Sequence, residues 1–353
     1  MNVVEKQLRK LDAYQQRRPR LGYIFGVIKK YGDDKGSTLT NLLTYSMFTT
    51  VFPLLLLLVT IITLLLAGYP TIRHDILNST FNEFPLVGSQ LSSNFHVLRK
   101  DSVIALIVGL LVLAYGSTNL ASNGIYVMEQ VWNIQVALRP SFFNRLLRSL
   151  AFLVVLAVGL VVTTFLSTFG TYSRHSLLLV ILFEILAIAV NIVIVFAAFR
   201  TLTPKPISTR TLLPGSIFAG IVWTILQALG GFIVGHYLRN DNVTYGVFGA
   251  VLGLIAWLYF AALVTVYAAE INVVIKRHLW PRTLIQPPLT SADQEALALQ
   301  VIQRRQRLEQ SVATEVRGQP LSEDQFLSGE KVNLKRVGLK QSAPNSNDKS
   351  KDI

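Results

Sequence analysis

Two glutamates stand inside long apolar runs: Glu184 within Leu182-Phe183-Glu184-Ile185-Leu186, and Glu270 within Ala268-Ala269-Glu270-Ile271-Asn272. A carboxylate in hydrocarbon is costly, so such a group carries a proton, binds an ion or substrate, or is held by a hydrogen bond between helices. Asn191 follows Glu184 at seven residues, two helical turns, which puts both polar side chains on one helix face, expected to turn toward the bundle interior or a wet cavity. The structural reading of the same residues is an interhelical hydrogen bond from a protonated Glu184, or hydration near the outer interface, and both readings stay open. Asn272 lies two residues beyond Glu270, about 200° round a helix, so the two are expected to have different neighbours. The expected partner of Glu270 is a cation of the 200–211 loop, Arg200, Lys205 or Arg210, and such a clasp fits the sequence at least as well as a transport role. Tyr237 and Tyr245, at either end of the loop between the last two apolar runs, complete the candidates for a substrate path.

Other chemistries lack their residues. The chain has no cysteine, which removes thiolate catalysis, disulfides and Cys-based metal sites. The five histidines, His74, His96, His175, His236 and His278, show no metal-ligand spacing. Neither a Gly-x-x-x-x-Gly-Lys-Ser/Thr loop nor a Gly-x-Ser-x-Gly elbow occurs. The expectation is a protein without catalytic residues, cofactor or metal. Asn119 and Asn123, four residues apart, are expected to make helix-to-helix hydrogen bonds. The small pairs Gly231/Gly235, Gly249/Gly253 and Ser216/Gly220 are expected to let helices approach closely.

The elements that must hold these residues are membrane helices. Of 353 residues 51% are hydrophobic and only 15% charged, with a mean hydropathy of +0.46, too few charges to clothe a soluble exterior. Six windows are long and apolar enough to span, near 40–67, 103–127, 149–170, 176–199, 212–238 and 246–274. The first starts too late and runs too long for a cleaved signal. Placing both termini in the cytosol puts 28 of the 33 Lys and Arg residues inside and 5 outside, the distribution that the positive-inside rule demands. The same placement accounts for the net charge of +13 without nucleic acid, and no nucleic-acid partner is expected.

The expected fold is therefore all-α: a polytopic bundle of six membrane helices over residues 40–275, an interfacial N-terminal segment over 1–39 and a polar cytosolic tail over 276–353. Within the first segment, Leu21 to Lys30 is too short to span, and it is expected to lie in the membrane plane with Arg17, Arg18, Arg20, Lys29 and Lys30 toward anionic lipid headgroups. A plain topology determinant explains the same cations. The one long outer loop, 68–102, is expected to fold into short helices through Phe81, Phe84, Leu86, Leu91 and Phe95. Asn78-Ser79-Thr80 matches a glycosylation sequon by chance. In the tail, Ser291 is expected to cap a helix reaching about residue 312, with disorder beyond about 315. The bilayer is the expected partner, and a homo-oligomer is compatible with the sequence.

The last third then carries a specific order of motifs: Leu213-Pro214-Gly215, Trp223, Tyr237, Tyr245-Gly246-Val247-Phe248-Gly249, Trp257-Leu258-Tyr259 and Ala269-Glu270-Ile271-Asn272. With Leu43-Thr44-Tyr45-Ser46 and Phe52-Pro53 upstream, and Arg139-Pro140 followed by Arg145, this pattern resembles the YihY/virulence factor BrkB family over about residues 20–282. The chain departs from the family pattern at Ala268, where glycine is usual, and at Glu129, where asparagine often stands three residues before an aromatic, here Trp132. The resemblance implies a six-helix protein of the bacterial cytoplasmic membrane. It also brings a ribonuclease BN label, attached to the family by an error of assignment. Its implied role is a transporter or exporter of lipid or envelope components, against the alternative of a membrane scaffold with no transported substrate.

Overall fold

The computed structural model describes residues 3–65, 118–139, 141–172, 177–204, 207–237, 246–284, 289–307, 315–316 and 319–320. Helices α1 (Val3–Arg17) and α2 (Pro19–Asp33) form an elbow at Pro19, whose ring suits the first helical turn. Then follow α3 (Gly36–Leu65), the helical run 118–131, here α4, and α5 (Phe142–Tyr172), α6 (Leu177–Leu202), α7 (Leu213–Tyr237), α8 (Gly246–Arg277) and α9 (Ser291–Gln303). The protein is all-α; beyond residue 307 the described residues add only a two-residue antiparallel pairing of Glu315–Val316 with Gln319–Pro320.

Four helices among the described residues are long and apolar enough to cross a membrane: Phe143–Thr163, Leu178–Leu202, Thr209–Leu229 and Val251–Arg277. α3 adds thirty residues without a charged side chain. Of the expected second span only 118–127 is described, and it is helical. The outer loop 68–102, Tyr245 and most of the tail lie outside the described residues. Exposed Leu147, Leu150, Val154 and Val158 on α5, and Leu178, Ile181, Leu182 and Ile185 on α6, form the apolar belt that lipid covers.

α6 packs between α5 and α7, and α8 between α7 and α3, with α2 lying across one end of α8. Close approach of α7 to α6 depends on Gly220, where a Cβ would lie 2.8 Å from the backbone of Ile192. The expected Ser216/Gly220 contact surface is thus present, whereas the side-chain surroundings of Gly231, Gly235 and Gly249 are outside the described residues. The core gathers where α2, α4, α6 and α8 meet, around Val27, Ile125, Met128, Phe199, Val266 and Val273. Asn133, in left-handed conformation at φ 51°, stops α4 and turns the chain. The helix after Pro281 is shorter than expected and starts one residue earlier. Thr290, not Ser291, caps α9 through a box with Asp293, and the helix ends at Gln303.

Candidate functional site

Midway along the bundle the helices leave a cavity of about 280 Å³. Its walls come from α3 (Met47, Val51), α4 (Val127, Met128), α5 (Phe152, Leu156), α6 (Asn191, Val195, Phe199), α7 (Trp223, Gln227) and α8 (Trp257, Leu258). Nearly all of this lining is apolar. Its polar members are Thr50, Thr163, Thr265 and the amides of Asn191 and Gln227, where the Asn191 amide donates to Thr224 Oγ1 at 3.0 Å and to Gln227 Oε1 at 3.5 Å. Trp223 and Trp257 close one side with ring centroids 5.3 Å apart. An apolar cavity of about 150 Å³ stays dry and takes a benzene-sized body, so this one suits a larger apolar group oriented by an amide pair.

At one end of the bundle, charges are buried in pairs. Glu270 is fully buried with Lys30 Nζ 3.5 Å from its Oε2, and Lys30 also bonds Asp34 and donates to the Val131 carbonyl at 3.1 Å. Burial raises the Asp34 carboxyl above its usual range against the opposing pull of Lys30 and Asn133. Tyr31 stacks on Tyr267 at 4.4 Å and closes this pocket from the side. A second knot ties the tail to α2. Asp293, buried on α9, accepts from Lys29 at 2.9 Å, Arg282 Nε at 2.8 Å, the Thr283 amide at 2.9 Å and the Thr283 hydroxyl at 2.7 Å. Burial alone would raise this carboxyl, but Lys29, Thr283 and Arg282 outweigh it and hold it well below the carboxylate range. Arg282 reaches on to Asp33 at 2.7 Å, so both chain-end segments are clasped at the same end.

A third group joins α4 to α5. Buried Glu129 Oε2 stands 3.4 Å from Arg139 Nε and 3.3 Å from Arg145 Nη2. Burial raises the Glu129 carboxyl, opposed by Arg145, Arg139 and Arg148. Arg139 also lies over the Tyr126 ring at 5.5 Å.

The expected site residues divide accordingly. Asn191 and Trp257 line the cavity. Glu184 does not join them: it is exposed, although it shares a face with Asn191, because α6 is covered along its Asn191–Leu202 half and largely bare over Leu178–Leu186. Glu270 pairs with Lys30 and, among the described residues, not with Arg200 or Arg210, since α2 crosses the end of α8 that carries the glutamate; Lys205 lies outside the described residues. Lys29 and Lys30 accordingly point into the protein, not toward headgroups, while Arg17, Arg18 and Arg20 are exposed. Asn272 faces elsewhere, as its 200° offset requires. Its Oδ1 accepts the Gly215 amide at 2.7 Å, capping the first turn of α7 from a neighbouring helix. A Cβ on Gly215 would sit 2.0 Å from the Ala268 carbonyl, which accounts for Pro214-Gly215 as a fixed start to that helix. Asn123 donates to Ser46 Oγ on α3 at 2.6 Å, the expected helix-to-helix bond, and to Asn119 Oδ1 within α4 at 3.1 Å. Tyr45 is exposed and Tyr259 half-buried beside Phe260. Tyr237, Gly246, Gly249 and Pro53 fall within helices whose side-chain environment there is not described.

Sequence reasoning missed Lys30, Gln227 and Asp293 as partners. Glu129 carried a readable signal, a carboxylate followed at ten and sixteen residues by Arg139 and Arg145.

Comparison with known proteins agrees with this architecture. Residues 27–291 match the model of the family described as virulence factor BrkB. The chain is similar to the inner membrane protein YhjD of Escherichia coli, 20% identical over 274 residues, 72% of this chain and 81% of that protein. It is also similar to the ribonuclease-like protein YfkH of Bacillus subtilis, 33% identical over 87 residues, covering 24% of this chain and 31% of YfkH. No solved structure matches. With about three-quarters of its length matched, the chain belongs to the BrkB family and is an integral membrane protein.

Proposed function

We propose that this BrkB-family protein moves an apolar or amphipathic envelope component, a lipid or lipid-linked molecule, across the cytoplasmic membrane. The observation that carries the reading is the cavity of about 280 Å³ inside the helix bundle, with the Asn191–Gln227 amide pair in its lining. A scaffold has no use for such a space. Helices in lipid associate through van der Waals packing, and an unfilled interior forfeits those contacts. In this reading the clasped end is cytosolic, the side to which the Lys and Arg count assigns both termini. The exposed stripe of Leu21, Ile24 and Ile28 on α2 then enters the cytosolic membrane interface, flanked by Arg17, Arg18 and Arg20. The reading has no catalytic step, and the ribonuclease-like name of the Bacillus relative is not carried over to this chain.

The test is reconstitution in vesicles with a phospholipid bearing a fluorescent acyl chain, read by the rate at which label becomes accessible on the opposite leaflet. The native chain should exceed protein-free vesicles. Ala198→Leu, which adds bulk to the cavity wall, should lower that rate at unchanged protein level. Equal rates for native chain, variant and protein-free vesicles would leave the scaffold reading in possession.

A further inference from the structure

Glu129 faces more positive charge than it can neutralise. Arg139 and Arg145 lie on its Oε2, Arg148 acts on the same carboxylate from one turn further along α5, and Arg200 at the end of α6 repels Arg148. One carboxylate thus stands against three guanidiniums, with Arg200 as a fourth beside Arg148. Arg145 Nε and Arg148 Nη1 are closed off from solvent and have no hydrogen-bond acceptor among the described residues. A rotamer change could bring one of these N–H groups to Glu129 Oε1, which also lacks a partner, yet the surplus of charge would remain. The cluster opens to the surface, with Arg200 exposed and the Arg139 and Arg145 side chains 25% and 32% exposed, while those two N–H groups stay covered. Buried guanidinium N–H groups without acceptors mark a place for an anion that brings its own oxygens.

The cluster also has an apolar neighbour. Met128 adjoins Glu129, Phe152 is one turn from Arg148, Phe199 adjoins Arg200, and all three line the cavity. From the level of Leu202 to that of Asn191 the cavity wall follows eleven residues of α6, a rise of roughly 16 Å. None of the four arginines lines the cavity itself; their sequence neighbours do, so the cluster stands at the level of the cavity's Leu202 end.

We propose that the Arg139–Arg145–Arg148–Arg200 cluster binds the phosphate of an anionic phospholipid, one of whose acyl chains occupies the cavity. The inference rests on the transport reading and narrows its substrate to lipids with a net negative phosphate headgroup. Arg suits this task because its planar fork meets two phosphate oxygens at once, and basic pockets between membrane helices commonly hold such headgroups.

The test is binding by the full chain in phosphatidylcholine nanodiscs, using phosphatidylglycerol, phosphatidylcholine and diacylglycerol that carry the same fluorescent acyl chain. Phosphatidylglycerol should bind at least tenfold more tightly than diacylglycerol and more tightly than the zwitterionic lipid. Arg148→Gln leaves both close Glu129 pairs in place, so it should fold and should weaken phosphatidylglycerol about tenfold, the size of one lost charge-assisted bond. Glu129→Gln removes the competing carboxylate and should tighten the same lipid, whereas a purely structural cluster predicts no gain. Binding that ignores headgroup and both variants but falls in Ala198→Leu would overturn this proposal and leave the transport reading standing. No saturable binding of any of the three lipids, with Ala198→Leu also silent, would overturn both. Displacement of the labelled phosphatidylglycerol by inorganic phosphate, with its binding unchanged in Ala198→Leu, would assign the cluster to a soluble anion and overturn the lipid as occupant.

Discussion

The clasped end of the bundle and its middle are built on opposite terms. At the end, Asp293 and Glu270 are fully buried, and cations from α2 and the chain after α8 meet them. In the middle almost everything is apolar, yet the helices do not close over the space between them. Removing a buried charge from water costs several kcal/mol, so each such charge needs its partner, whereas a dry space costs only lost contacts. The difference teaches that buried charge pairs tie the chain-end segments together at α2 and α9, while the centre keeps an apolar space open.

The largest expected effect comes from opening the clasp. Asp293→Ala leaves Arg282 and Lys29 without their shared acceptor and should cost about 3–5 kcal/mol, seen as a lower unfolding midpoint in detergent and as protease release of α9. Acid should do the same. Because the Asp293 carboxyl is held below its unfolded value of about 4, its contribution is present above that pH and is lost as pH falls through the folded value. Release of α9 that is independent of acid below pH 4 would remove Asp293 from the clasp.

Lys30→Met should rank next, at about 3 kcal/mol, since it leaves Asp34 and Glu270 buried without their cation. The double variant Lys30→Met/Glu270→Met should recover much of that loss, a coupling that a thermodynamic cycle on folded fraction measures. Additive losses would show that the two side chains do not act as a pair.

Smaller still, Gly215→Ala sets a Cβ 2.0 Å from the Ala268 carbonyl and should cost about 1–3 kcal/mol through overpacking. Ala198→Leu in the cavity wall should leave the unfolding midpoint unchanged or raise it. Equal destabilisation by both would mean that the centre is as tightly filled as the helix contacts around it. At the bottom of the scale, Glu184→Gln and Glu184→Leu should both keep normal folded amounts and activity, because the side chain is exposed. Loss of activity in Glu184→Gln at full expression would restore it to the mechanism.

Much of this architecture was legible in the residues. Long apolar runs mark α5 to α8 as membrane helices, four-residue spacing pairs Asn119 with Asn123, and the offset of Glu270 from Asn272 gives them separate neighbours. Periodicity names the face of a helix but not the element it meets. Lys30 and Glu270 are 240 residues apart, and nothing local joins them. α6 is apolar nearly all round, so its sequence does not show how far along the helix its neighbours reach: Glu184 and Asn191 share a face, yet only the Asn191 half is covered, and of the open readings of Glu184 the exposed one fits. The cavity is invisible for a related reason: it is a shortfall of volume among six helices, and no single helix records it.

The most direct measurement is photo-crosslinking by a phospholipid with a diazirine in its acyl chain, followed by mapping of the adducts on the full chain in vesicles. The account predicts adducts on the cavity-lining Met128, Phe152 and Val195, diminished in Ala198→Leu, besides those on the outer belt. Adducts confined to outward-facing residues such as Leu147, Ile185 and Val193, unchanged in the variant, would contradict it.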